Sequence, residues 1–342
     1  MKVLLISPNS SFGGASTANI NIASMIKMAG VDVIYNDEFA TTKPNEPFET
    51  SDYPIYGNRR NKEKLIKYII GENIDYVLIG DNRVAIHYFF QLYKLKKRGI
   101  RVGVIFHSLN IGQTFRNRIT DFLTSIATIC ANDLIYVSKY TQECWCKYLI
   151  PRISYKKGIV LYNAVQSVDS VNNIVKTEKP TIVYVGRLSP EKRPDVFCEI
   201  AKSFSFKYDF VMWGSGPLYD ELYQKYNKYV CFKGYEKDIK KIYDKASLIV
   251  VPSVFENCPM CILESMIRGI PSISTKVGGI PEIVTSGVNG EFLEIEDYIN
   301  SFEICAKRIV DNYKYYQSNC LKVSQKFTME IQSSAWAILL NR

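Results

Sequence analysis

No apolar run in the chain approaches the roughly 18 to 20 residues needed to span a bilayer, so no membrane-crossing helix is expected. The opening M-K-V-L-L-I-S-P-N has only four consecutive apolar residues before polar text. That is too short for a signal peptide and reads as a first β-strand. There are only two histidines, His87 and His107, and no second C-x-x-C beside Cys258-Pro-Met-Cys261, which disfavours a structural zinc site. No D-x-D is present to hold a divalent ion, and the reading therefore assigns no metal ligands. The glycine pair Gly13-Gly14 is not the G-x-G-x-x-G of a dinucleotide fold, which argues against a dehydrogenase. With no zinc-finger or RRM signature, no nucleic-acid partner is expected. The nine cysteines are odd in number and scattered, unlike a secreted disulfide framework, so a reducing cytoplasm is the expected compartment.

What is present is an α/β text. A length of 342 residues with 47% hydrophobic and 23% charged residues suits two globular domains with separate cores. The formal charge of +9 points to acidic partners, such as a nucleotide or a phospholipid surface. Residues 1–7, a helix over 15–29 closed by Gly30, and a strand over 31–35 make a βαβ opening. Residues 37–64 are polar and carry a basic run, and strands at 76–79, 101–106 and 134–137 follow. Residues 86–98, I-H-Y-F-F-Q-L-Y-K-L-K-K-R, fit either a core-packed helix with cations at its C-terminus or a membrane-surface helix. Residues 166–180 lose periodicity and are taken as a linker. Beyond it, strands at 181–185, 209–213, 229–232, 248–251, 272–274 and 291–293 alternate with helix-length segments, the pattern of a parallel sheet covered on both faces.

The chemistry concentrates around S-V-F-E-N-C-P-M-C-I-L-E, residues 253–264. This stretch leaves a strongly apolar strand and opens a helix expected over 259–268, where a doubly wound sheet binds ligands. With Pro259 at about the first helical position, the free amides of Met260 and Cys261 face outward and favour an anion such as phosphate. Glu256 and Glu264 bracket that point with seven residues between them. Carboxylates there repel phosphate but accept from hydroxyls, so the bracket suits a ligand with hydroxyls on both sides of its phosphates, as in a nucleotide sugar. The bland alternative makes Glu256 a helix-start charge and Glu264 a surface residue. A second segment, T-I-V-Y-V-G-R-L-S-P-E-K-R-P-D over 181–195, delivers Arg187 and Lys192 after a strand, two cations able to neutralise a diphosphate. A third, G-G-I-P-E, covers 278–282. The C-P-M-C sequence also admits thioredoxin-like redox chemistry, which would require an activated Cys258 thiol.

In this order, G-R-L-x-x-x-K, the Glu-to-Glu spacing and G-G-x-P-E resemble glycosyltransferase family 4, the retaining GT-B enzymes of the glycogen-synthase or glycosyltransferase group 1 type. The resemblance is dense in the C-terminal half and thin in the N-terminal half. It implies two Rossmann-like doubly wound domains facing each other across a cleft. Their expected bounds are 1–165 for the acceptor, a linker at 166–180, 181–325 for the nucleotide sugar, and a final helix over 326–342 crossing back onto the first domain. It implies hexosyl transfer from a UDP- or GDP-sugar to a saccharide or lipid-linked glycan, with no further cofactor and with catalysis independent of metal. It further implies that Gly13 and Gly14 admit the donor phosphate to backbone amides, and that His107 hydrogen-bonds the donor sugar near the reacting carbon. In this reading Glu264 takes the ribose hydroxyls and Glu256 those of the sugar, while Arg187, Lys192 and the amides of Met260 and Cys261 hold the diphosphate. One departure bears on sugar identity: many relatives have Gly where this chain has Pro259, so one potential sugar-contacting N–H is missing. The expected place is the cytoplasm, with the inner membrane surface and peripheral association left open. A sugar-nucleotide epimerase and a non-catalytic sugar-nucleotide module are the competing functions.

Overall fold

A computed structural model describes residues 1–7, 14–37, 49–50, 62–107, 115–148, 158–168 and 179–342. Gly13, most of the polar segment 37–64 and linker residues 169–178 lie outside the described residues. The chain divides into two units, Met1–Ala164 with Met329–Arg342, and Val165–Thr328.

The first unit is a parallel sheet of β1 (Lys2–Ser7), β2 (Asp32–Asp37), β3 (Glu49–Thr50), β4 (Tyr76–Ile79), β5 (Arg101–Phe106), β6 (Asp133–Tyr136) and β7 (Gly158–Val160), in the order β3-β2-β1-β4-β5-β6-β7. The order reverses between β1 and β4, so the carboxyl ends of these strands form the switch point where such sheets take ligands. Strands of this kind read as continuous apolar runs because helices cover both faces, and Val3 to Ile6 and Tyr76 to Ile79 are fully buried. Helix Gly14–Met28 ends at Gly30, whose φ of 78° closes it in the left-handed region. The stretch 86–98 is broken: helix Asn82–His87 stops, Tyr88 turns the chain with φ −103° and ψ 8°, and helix Phe89–Lys97 resumes. Leu92 and Leu95 go into the core while Phe90 and Tyr93 stay exposed. Helix Met329–Leu340 packs on helix Gly14–Met28, and Arg101 Nη2 donates to the Leu339 carbonyl at 3.0 Å.

The second unit is a parallel sheet of β8 (Thr181–Val185), β9 (Asp209–Trp213), β10 (Cys231–Gly234), β11 (Ala246–Val251), β12 (Ser272–Ser274) and β13 (Gly290–Phe292), in the order β10-β9-β8-β11-β12-β13. Its switch point lies between β8 and β11. The strand expected at 229–232 starts later because the Tyr229 and Val230 amides are already taken by the Tyr226 carbonyl, at 2.9 and 3.0 Å. The core joins Phe197, Phe210 and Phe302 of helices Pro194–Phe204 and Tyr298–Asp311 and of β9. Among the described residues no helix is long and apolar enough to cross a membrane.

Candidate functional site

In the second unit four loops knit together beyond the carboxyl edge of the sheet. After β8, Gly186 and Leu188 donate their amides to the Trp213 and Ser215 carbonyls at 3.1 and 3.0 Å, tying this loop to the one after β9. That approach requires glycine: a Cβ on Gly214, whose φ is +133°, would lie 1.9 Å from the Gly186 carbonyl oxygen. The chain then turns through Pro190–Lys192, with Arg193 left-handed at φ 48°, and enters helix Pro194–Phe204. Val254 of the β11 loop donates to the Glu191 carbonyl at 2.9 Å, which brings the third loop alongside the first.

This convergence sets Lys192 against Glu256. Nζ and Oε1 are 2.6 Å apart, and Ser253 Oγ donates to the same oxygen at 2.9 Å. The other carboxylate oxygen of Glu256 accepts from none of the described residues. Burial alone would lower the Lys192 pKa, but the charge of Glu256 and its hydrogen bond outweigh that and raise it, so the ammonium stays charged. Beneath the pair lies the fourth loop. Gly279 donates to the Glu256 carbonyl at 2.9 Å, and Gly278, at φ +58°, leaves no room for a Cβ, which would sit 1.7 Å from that oxygen. Thr275 Oγ1 donates to the Ser253 carbonyl at 2.6 Å. Arg187 is exposed on the β8 loop, its carbonyl held by the Tyr184 hydroxyl at 2.9 Å, and it has no carboxylate within 4 Å among the described residues.

Pro259 is the N-cap rather than the first helical residue, with an extended ψ of 117°, and the helix runs only Met260–Met266. It is shorter at both ends than expected, because the Arg268 and Gly269 amides turn back to Ser265 and Met266. The amides of Met260 and Cys261 thus begin the first turn directly after the Glu256 loop. Glu264 is buried on this helix. Tyr243 OH reaches its Oε2 at 3.1 Å and the Cys261 carbonyl at 3.2 Å. Its Oε1 accepts from none of the described residues. Burial raises the Glu264 pKa more than the Tyr243 hydroxyl and the Arg268 charge lower it. The carboxylate is therefore short of donors. Cys258 and Cys261 are not disulfide-bonded, and burial followed by the charge of Glu256 pushes Cys261 far above its ordinary value. That is the opposite of thiolate activation at Cys261.

His107 and Gly14 belong to the other unit. Gly14 is exposed at the first position of its helix. His107 is buried at the end of β5, and burial lowers its pKa to about 4 despite the charge of Asp81. Its Nε2 is 2.9 Å from Asn19 Oδ1, while Asn19 Nδ2 donates to Ser7 Oγ and to the Gly80 carbonyl, both at 3.0 Å. A carbonyl can only accept, so the Asn19 amide is fixed with its oxygen toward His107, and the neutral ring carries its proton on Nε2. Asn19, Ser253, Tyr243 and Arg268 had no sequence signal of their own. The G-G-I-P-E segment and the S-x-x-E step from Ser253 to Glu256 were the nearest available hints.

A family model described as "Glycosyl transferases group 1" matches residues 179–312. The Escherichia coli protein named UDP-Gal:alpha-D-GlcNAc-diphosphoundecaprenol alpha-1,3-galactosyltransferase is 30% identical over 162 residues, 44% of this chain and 42% of that protein. The Escherichia coli O-antigen biosynthesis glycosyltransferase WbnH is 28% identical over 217 residues, 60% of this chain and 61% of its own length. The chain thus spans about half the length of these curated relatives. The crystal structure of Anabaena Alr3699/HepE in complex with UDP-glucose superposes with a TM-score of 0.82 at 18% identity, over 100% of this chain and 99% of that one. At that identity the likeness is one of fold, and the fold is GT-B. The motif-bearing loops of the second unit all lie inside the segment, residues 179–312, that matches the glycosyl transferases group 1 family model.

Proposed function

We propose that this chain is a retaining hexosyltransferase that moves a sugar from a UDP- or GDP-sugar to a hydroxyl of a saccharide or lipid-linked glycan without a bound metal ion. The observation that supports it most is the Lys192–Glu256 pair at the β8/β11 switch point, one side chain suited to phosphate and the other to hydroxyls. The barrier to transfer is charge building on the departing diphosphate, and preorganised donors aimed at that charge are the largest catalytic term. Lys192 and Arg187 supply the cations, and the first-turn amides of Met260 and Cys261 add dipoles. These groups take the part that a divalent ion plays elsewhere. Glu256, with one oxygen committed to Lys192 and Ser253, offers the other to the sugar hydroxyls. Glu264, buried with a single side-chain donor, is relieved by ribose hydroxyls. His107, neutral with its proton on Nε2, is suited to hydrogen bonding and not to carrying charge. The name of one curated relative makes UDP-galactose and a saccharide on diphosphoundecaprenol the first substrates to assay, and a reaction at the inner membrane surface is part of this reading.

The test is transfer by the purified chain from a panel of UDP- and GDP-sugars to soluble and lipid-linked acceptors, with and without chelator, and with the product anomer assigned by NMR. Retained configuration and undiminished rate in chelator support the reading. An inverted product or strict magnesium dependence contradicts it, and release of free nucleoside diphosphate with no acceptor product points to the epimerase.

A further inference from the structure

The first unit carries a surface built from none of the residues assigned to transfer. The β4-to-β5 and β5-to-β6 connections run the same way across the sheet, so right-handed crossovers set their helices on one face. Helix Asn82–His87 packs against helix Phe115–Ala127 there, and Lys96 Nζ donates to the Ile129 carbonyl at 3.1 Å, which joins helix Phe89–Lys97 to the turn that follows. The outward side of this layer is apolar. Ile119, Phe122 and Leu123 follow the spacing i, i+3, i+4 of one helical stripe, and Phe90, Tyr93 and Ile129 are exposed beside them. Phe122 is 65% exposed and Phe90 70%. A stripe that would normally enter a core here faces solvent.

The charge of the same stretch is equally one-sided. Between positions 82 and 132 the sequence has eight Lys and Arg residues and one carboxylate, Asp121. Asp121 is buried, and burial raises its pKa to about 6. Seven of the nine excess positive charges of the whole chain therefore come from these 51 residues. Lys94, Lys97 and Arg98 are exposed next to Phe90 and Tyr93. A second copy of the chain would bring the same cations to a two-fold interface and repel. An anionic bilayer matches both features, with aromatic and aliphatic side chains entering the interfacial zone and lysines meeting headgroups.

We propose that the face formed by Phe90, Tyr93, Lys94, Lys97, Phe122 and Leu123 docks the protein on an anionic lipid surface. This deepens the proposed reading, since it would hold the enzyme where a lipid-linked acceptor is found, but its test needs neither donor nor acceptor. Flotation of the full chain with phosphatidylglycerol/phosphatidylethanolamine vesicles and with phosphatidylcholine vesicles measures it. Binding is expected to the anionic vesicles and to weaken as salt rises. Lys94→Gln with Lys97→Gln is expected to weaken binding about 30-fold, at about fivefold per cation. Phe90→Ser with Phe122→Ser is expected to abolish it while leaving the circular-dichroism melt and UDP binding unchanged. Equal binding to both vesicle types, no binding to either, or variants that float like the parent would overturn the proposal. So would a dimer in light scattering that Phe122→Ser dissociates. Failure here with transfer to a soluble acceptor intact would sink the docking surface alone.

Discussion

Replacing Lys192 by Met leaves the buried Glu256 carboxylate with Ser253 as its remaining side-chain donor. Breaking a fully enclosed ion pair costs about 3–5 kcal/mol, because the surviving charge is stranded. Here the Glu256 side chain is 10% exposed and that of Lys192 29%, so water reaches the pair. The expected loss falls to about 2 kcal/mol. For a unit of this size that corresponds to a melting shift of about 4–8 °C. Glu256→Gln costs a similar amount by stranding the ammonium. The double variant Lys192→Met/Glu256→Gln removes both charges and should be less destabilised than the sum of the two, with a coupling of about 1–2 kcal/mol. Transfer behaves differently: each single variant and the double should lose on the order of a few hundredfold in rate, non-additively. Urea denaturation supplies the stabilities and initial-rate transfer from a UDP-sugar the activities. The raised Lys192 pKa also fixes a pH sign. The pair's stabilisation is complete below the unfolded-chain lysine value of about 10.4 and is lost as pH rises through the higher folded value. Stability losses that simply add in the double variant would refute the pair, and a double variant transferring at the parental rate would refute its function.

Three further outcomes follow from the same geometry. Glu264→Gln should leave stability at pH 7 unchanged or raise it by up to about 1 kcal/mol, because it removes a buried charge short of donors, while donor affinity falls; a large drop in urea midpoint would contradict this. In the parent, the raised Glu264 pKa means that the cost of its charge is relieved as pH falls through that value. Gly278→Ala should cost about 2–4 kcal/mol and displace Glu256, whereas Gly287→Ala, at φ +77° but with nothing within 4 Å, should cost only about 1–2 kcal/mol; equal costs would show that the Glu256 contact is not what requires glycine. His107 should stay neutral by NMR down to about pH 5, with its share of stability present above the unfolded value of about 6.5 and lost as pH falls toward about 4; a titration midpoint near 6.5 would contradict the buried, Asn19-bonded ring.

Alternation of short apolar strands with helix-length segments was legible because periodicity is local, and the strands over 181–185, 209–213 and 272–274 stand where the pattern put them. Glu256 and Glu264 were legible as a bracket around a helix start for the same reason. Their partners were not. Lys192 meets Glu256 across 64 positions, and Tyr243 meets Glu264 across 21, through loops that only the sheet order makes neighbours. Asn19 ties together the ends of β1, β4 and β5, and nothing in its helical setting marks it. Of residues 86–98, the core-packed reading holds for Leu92 and Leu95, but the helix breaks at Tyr88 and leaves Phe90 and Tyr93 exposed. Boundaries moved where backbone amides were already engaged, as at Tyr229 and at the end of the Met260–Met266 helix.

Calorimetric titration of UDP and GDP into the parent chain and into Lys192→Met, both in chelator, tests most directly whether the β8/β11 loops seat a diphosphate. One of the two nucleotides should bind the parent, and its affinity should fall about 100-fold or more in Lys192→Met. Failure of both nucleotides to bind, or equal affinity in the two proteins, would contradict the account.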